Sequence, residues 1–256
     1  MQERIDAYPD INALLAAMRA LSAEMSPADP RKPFHDTYLR TTEAVAAAIA
    51  DGVFMDGVFI DSDWVERWDV AFAGLYLRAL ENHRAGLRVP GPWHAAFTSA
   101  DQRRLPPLRL VLLGMNAHIN FDLPLALLEV IPDPDWADHD LLDRRRTDHH
   151  RIDDILASRV AAEDRRLAEI EQPGDRTTLD RLLTPFNRFG TRRFLAEARR
   201  KVWNNAHRLA VARRRGRLDD RVAELEALSQ RRIEDLLRPG QVILELTRNG
   251  FGVELP

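Results

Sequence analysis

The sequence predicts a mainly α-helical fold: a single-domain, multi-helix bundle around one buried central helix, with a short extended C-terminal tail. Three observations predict it. Apolar residues recur at three- and four-residue spacing in segment after segment, the pattern of helices that turn one face to a core. The stretch "LRLVLLGMNAHINFDLPLALLEVI" is apolar in nearly all directions, which marks a helix enclosed by protein rather than lying at its surface. No Pro-, Gly- or Ser-rich run is long enough to separate two domains, so residues 1–256 read as one unit.

The elements follow in order. "DINALLAAMRALSAEM" places Ile11, Leu14, Leu15, Met18 and Leu21 on one helical face, and "SPADPRKP" breaks it. A second helix begins near Pro33, a residue accepted in a first turn, with Phe34, Tyr38, Thr41, Val45 and Ala48 as its stripe. "DGVFMDGVFIDSD" reads as a loop or short hairpin. Asp63 and Glu66 form a capping-box pattern for a third helix, whose stripe is Trp64, Trp68, Ala71, Phe72, Leu75 and Ala79. "RAGLRVPGP" ends that helix and "WHAAF" opens a short one. The central helix spans Pro106 to Ile131, and others run from Asp138 to Glu171, Thr191 to Arg215 and Asp219 to Leu237. "QVILELTRNGFGVEL" reads as a strand or an extended strap.

Bulk properties exclude several classes. There are no cysteines, which removes thiolate nucleophiles and Cys-ligated metal sites. A net charge of -3 gives no general pull toward nucleic acid or an anionic membrane. "MQERIDAYPD" lacks the pattern of a signal peptide, and no window reads as a membrane span, so the expectation is a soluble cytoplasmic protein. The glycine-rich nucleotide loops, H-E-x-x-H and G-x-S-x-G are all missing.

Within the central helix, His118 and Asp122 lie about 40° apart at ~100° per residue, on one face. Asn116 and Asn120 fall together on the opposite side. An ionised carboxylate among so many apolar residues is costly unless it is paired, hydrogen-bonded or metal-bound. Three explanations satisfy that requirement. His118 and Asp122 ligate one divalent metal; or Asp122 fixes the tautomer of His118 for acid–base work; or Asp122 caps a helix restarted at Pro124, with His118 a core residue. "DRRRTDHHRIDDIL" supplies a second group: Asp148 and His149 face inward, Asp153 lies at the edge, and His150 and Asp154 point to solvent. His35 reads as a surface residue near a helix start. Asp69 and Tyr76 share an edge of the Trp-rich helix and could line a cleft.

From Arg188 to Arg217 the chain is strongly basic, with Phe186, Phe189 and Trp203 nearby. The spacing of Phe194, Ala198, Val202 and Leu209 reads as a core stripe, so nucleic-acid binding is not expected.

"DWVERWDVAFAGLY", "PGPWHAAF", "LLGMNAHINFDLPLAL" and "RRKVWNNAHRL" together resemble a family of bacterial all-helical domains of unknown function with a G-M-N-A-H-I-N-x-D-L core. Leu113, Gly114, His118, Asp122 and Leu123 are also similar to the L-G-x-x-x-H-x-x-x-D-L segment of zinc-dependent phospholipase C and single-strand nuclease enzymes. That likeness implies that His118 and Asp122 are zinc ligands, although the further histidine of that group is absent from Leu125 to Ile131.

The first expectation is therefore a hydrolase of an ester or phosphoester. His118, Asp122 and His149 would hold zinc or iron, with Asp148 or Asp153 as an extra ligand or supporting base. The alternatives are a metal-free cyclase or isomerase of an apolar small molecule, with a His118–Asp122 pair in a pocket shaped by Trp64, Trp68, Phe72 and Trp93, and a non-catalytic helical binding protein.

Overall fold

A computed structural model describes the backbone of residues 8–52, 58–170, 178–238 and 250–256, with side chains throughout these ranges except at 52, 154, 156–170 and 178–195. Among the described residues the regular structure is helical: α1 (Ile11–Glu24), α2 (Lys32–Gly52), α3 (Ser62–Arg84), α4 (Gly91–Gln102), α5 (Pro107–Ala117), α6 (Leu123–Val130), α7 (His139–Ile170), α8 (Thr178–Arg214) and α9 (Leu218–Leu237). A π-helical turn, His118–Asp122, joins α5 to α6, and a 3-10 turn, Asp133–Ala137, precedes α7.

The α5–π–α6 rod is the axis of the bundle. α2, α4 and α9 pack on α5, whereas α3 and α8 pack on α6. The run Pro107–Val130 has 24 residues and a mean hydropathy of 1.3 in its most apolar part, enough by length and composition to cross a membrane. This exceeds the sequence expectation that no window reads as a span. Most of it (83%) is buried inside the protein, as befits a core helix.

Pro124 explains why the rod is not one regular α-helix. In an α-helix its ring would collide with the carbonyl of Asn120 and one backbone bond would be lost. Here the ladder widens instead, and the Leu123 N–H reaches back five residues to the His118 carbonyl. The helix therefore passes through the break, and Asp122 makes no side-chain cap at the start of α6.

Helix ends differ from expectation in instructive ways. The α3 cap is Asp61, which accepts from Trp64 N–H at 2.9 Å. Glu66 serves α1 instead, accepting from Ile11 N–H at 3.0 Å. The capping box at Asp63 is not formed. α8 begins at Thr178 rather than Thr191, running through Pro185 and Gly190. On α2 Phe34, Tyr38 and Val45 are buried as expected, but His35 and Thr42 face inward with them, and Thr41 and Ala48 are only half-buried. His35, expected at the surface, is fully enclosed. Of the expected loop or short hairpin at "DGVFMDGVFIDSD", residues 53–57 lie outside the described residues, as do the boundary at "QPGD", the tail from Gln241 to Asn249 and the side chains of Asp154, Phe186, Phe189 and Phe194.

The basic stretch is tied into the fold. Arg199 is buried and pairs with Asp153, Arg213 pairs with Asp133, Lys201 with Glu197, and Arg208 with Glu254 at 3.5 Å.

Candidate functional site

His118 and Asp122 sit at the two ends of the π turn, both almost fully buried. Their side chains meet directly, with Nδ1 to Oδ2 at 2.9 Å. The same Oδ2 accepts the indole N–H of Trp93 at 2.8 Å. An indole nitrogen only donates, so Oδ2 is an acceptor there. We assign the proton of the second bond to Nδ1 on the same ground, as that oxygen is then an acceptor toward both neighbours. This tautomer leaves Nε2 with a lone pair. Nε2 is buried and has no hydrogen-bond partner.

Rings enclose the imidazole. Phe72 stacks flat on it at 3.6 Å between centroids, and Tyr38 meets it edge-on at 4.5 Å. Trp93, Tyr76 and Phe34 complete the cage at 5.9, 6.1 and 6.2 Å. Burial in this cage pushes the imidazole well below the usual histidine range, so the ring stays neutral. Burial likewise drives the Asp122 carboxyl well above the usual carboxylate range, with the Trp93 hydrogen bond opposing it.

Other polar atoms near the cage are also unpartnered. The Thr42 hydroxyl sits beside the Tyr38 phenol, yet neither oxygen makes a hydrogen bond of acceptable geometry. Burial holds the phenol in its protonated form, reinforced by the Asp69 carboxyl, so Tyr38 is a donor without an acceptor. Asp69, three residues before Phe72, has one buried oxygen without a partner, and desolvation lifts its carboxyl to about 7. Buried orphans of this kind are uncommon in folded proteins and call for an explanation. Phe34 and Trp93 also line a small recess of about 20 Å³, room for about one water, together with Arg31, Phe97 and Leu110.

The remaining sequence candidates lie elsewhere. Both oxygens of the buried Asp148 hold backbone: Oδ1 accepts from Ile60 N–H at 2.7 Å and Oδ2 from Asp61 N–H at 2.9 Å. It anchors the entry to α3. The His149 ring lies between Trp68 and Trp203, with both nitrogens buried and unpartnered. Asp153 pairs with Arg199. The rings that pack on His149 and those that pack on His118 are different sets. Among the described residues, no group of three or more His, Asp and Glu side chains is placed to hold a metal ion. The expected grouping of His118, Asp122, His149 and Asp153 is thus divided between two places.

Sequence reasoning found His118 and Asp122 because charge stood out against an apolar background. It used Trp93 as a pocket wall and missed its N–H as the third member of the chain. It placed Tyr38 in a core stripe and passed over Thr42. Bringing Thr42 inward would have needed a register for α2 that its mixed composition does not supply. His35 is a structural histidine: Nε2 donates to the Met18 carbonyl at 2.9 Å, and Nδ1 accepts from the Tyr76 hydroxyl at 3.1 Å.

No curated protein and no solved structure matches the chain. The remote likeness to zinc-dependent phospholipase C is not shown by these comparisons. A family model does match, over residues 11–239, and it includes every helix that builds the site. The chain belongs to this family, DUF5995, described as a family of unknown function.

Proposed function

We propose that the chain is an enzyme that moves a proton on a small, largely apolar molecule, an isomerase or cyclase in which His118 Nε2 is the base. The observation that carries this reading is the unpartnered Nε2 of an imidazole whose other nitrogen is held by Asp122. A base oriented by a carboxylate is the usual construction of a histidine that takes and returns protons. Asp122 keeps the lone pair on Nε2 and stabilises the imidazolium once it forms. Tyr38 O–H and the Asp69 carboxyl are the nearby acids, available to protonate or polarise an oxygen of the substrate. The aromatic cage favours an apolar body and excludes water. Entry requires movement of a cage ring, and Phe34 and Trp93, which also line the small recess, are the candidates.

The test is proton exchange. The chain is incubated in D2O with a panel of small cyclic ketones, and deuterium gain next to the carbonyl is read by mass spectrometry. Exchange should fall by about a hundredfold or more in His118→Gln, the scale of a lost general base. Equal exchange in both proteins, or none with any member of the panel, would sink the reading.

A second reading is hydrolysis at a metal. A histidine whose Nδ1 is held by a carboxylate is also the form that metal-binding histidines take. Nε2 would then be the ligand, with Asp69 and Tyr38 as oxygen donors. Elemental analysis of chain purified without a metal-affinity step separates the two: stoichiometric zinc or iron, lost in His118→Gln, would favour this one.

A further inference from the structure

The last described segment, residues 250–256, runs extended beside α5, the π turn, α8 and α9, and side chains hold its backbone. Asn205 donates to the Val253 carbonyl at 3.0 Å and accepts from Leu255 N–H at 2.8 Å. Lys201 donates to the Gly252 carbonyl at 3.1 Å. Phe251, Gly252, Val253 and Leu255 are all buried, so the segment is covered on both sides over most of its length. Two glycines permit the path. Gly250 has φ +72°, and a Cβ at Gly252 would lie 2.7 Å from the Ala198 Cα.

The opposite side of this strap rests on the turn that carries the acid–base pair. Asn120 lies two residues from His118 and two from Asp122. Its amide nitrogen donates to the Phe251 carbonyl at 3.0 Å, and its Oδ1 accepts from Val253 N–H at 3.1 Å. Asn116 donates to the same carbonyl at 3.3 Å. Both ends of the Asn120 amide are thus spent on the strap backbone. A π turn holds one residue more than the α ladder needs, and such turns are frequent at functional sites. If the extra residue moved to another point of the rod, the residues between would rotate by about 100°. His118 and Asp122 would then turn together, away from the Trp93 indole and the rings of the cage.

We propose that Asn120 is a positioning residue of the acid–base pair. Through two hydrogen bonds to Asn120, the strap pins the π turn in the register where the His118–Asp122 pair faces the Trp93 indole and the aromatic cage. Strap docking then decides whether the pair is seated in its cage, where the Nδ1–H is shielded from water. This inference rests on the acid–base reading and names what sets its geometry.

The experiment uses the full chain labelled with ¹⁵N-histidine and reads the His118 ring by NMR. Val253→Pro removes the N–H that Asn120 accepts and keeps apolar bulk. Val253→Ala keeps the N–H and removes bulk. In Asn120→Ala and Val253→Pro the protected Nδ1–H resonance of His118 should disappear, while Val253→Ala keeps it. A strap that only packs would reverse that order, with Val253→Ala the more disturbed. Such a reversal, or an unaltered His118 signal in both Asn120→Ala and Val253→Pro, overturns the proposal. Should Val253→Pro fail to fold by circular dichroism, Asn120→Ala against Val253→Ala makes the same comparison. Catalysis is not read here, so a failed deuterium-exchange assay with an intact strap response rejects the enzyme reading alone.

Discussion

Replacing Asp69 by Asn should change how stability depends on pH, and the size of the change follows from burial. Asp69 is 6% exposed, and its carboxyl lies at about 7 in place of 3.8 because desolvation disfavours the charged form. A carboxyl raised on folding binds its proton more tightly in the native chain. Its contribution is therefore fully present below the unfolded value and is lost as pH rises through about 7. A move from 3.8 to about 7 amounts to about 4 kcal/mol at ~1.4 kcal/mol per pH unit. Asn has nearly the same shape and does not titrate, so the variant lacks this loss.

The assay is urea unfolding of both proteins at a series of pH values, read as the difference in unfolding free energy. That difference cancels His35, His118 and His149, whose lowered values make stability fall as pH drops below about 6.5 in both proteins. Relative to wild type, the variant should gain about 4 kcal/mol between about pH 4 and pH 7 and level off above. A fixed offset from burying an amide would shift the whole curve without altering its shape. A pH-independent difference would refute the reasoning: Asp69 would then be ionised with a cation or donor beside it, and would be no reserve of protons for His118.

Other variants probe the surrounding architecture. Trp93→Phe deletes the N–H given to Asp122 and should lower stability by about 1–3 kcal/mol in urea unfolding; an unchanged midpoint would mean that the bond is replaced by solvent. Asp148→Ala strips two acceptors from the backbone at Ile60 and Asp61, so hydrogen exchange at those amides should accelerate with a loss of about 2 kcal/mol or more. Equal exchange would show that the α3 entry does not depend on it. Gly114→Ala places a methyl against the Phe34 ring, and overpacking of this kind typically costs about 1–3 kcal/mol. A neutral result by thermal melting would mean that Phe34 and the cage yield easily.

The helices were legible because periodicity is a local property, and the α5–π–α6 rod stood out by being apolar all round. The π turn was not, since Pro124 predicts a disturbance but does not choose between a kink, a restart and a widened turn. Polar residues proved harder to place by kind than by position. Asp122 and His118 were singled out correctly as a buried pair, yet the Asn116 and Asn120 spacing beside them could be understood only once the strap arrived from 131 residues further along the chain. Asp148 was read as facing inward, as it does, but an acid that serves two backbone amides looks in sequence just like one that serves a substrate. The capping box was read at Asp63, and the cap went instead to Asp61, whose backbone N–H Asp148 holds.

The central claim concerns one ring atom: His118 Nε2, neutral and free to accept a proton, with Nδ1–H held by Asp122. Titration of the ¹⁵N-labelled His118 ring by NMR between about pH 5 and pH 8 reads it directly. The account predicts a neutral ring throughout, with the proton on Nδ1 and the lone pair on Nε2. A ring protonated at Nε2, or one that becomes imidazolium near the ordinary histidine value, would contradict it.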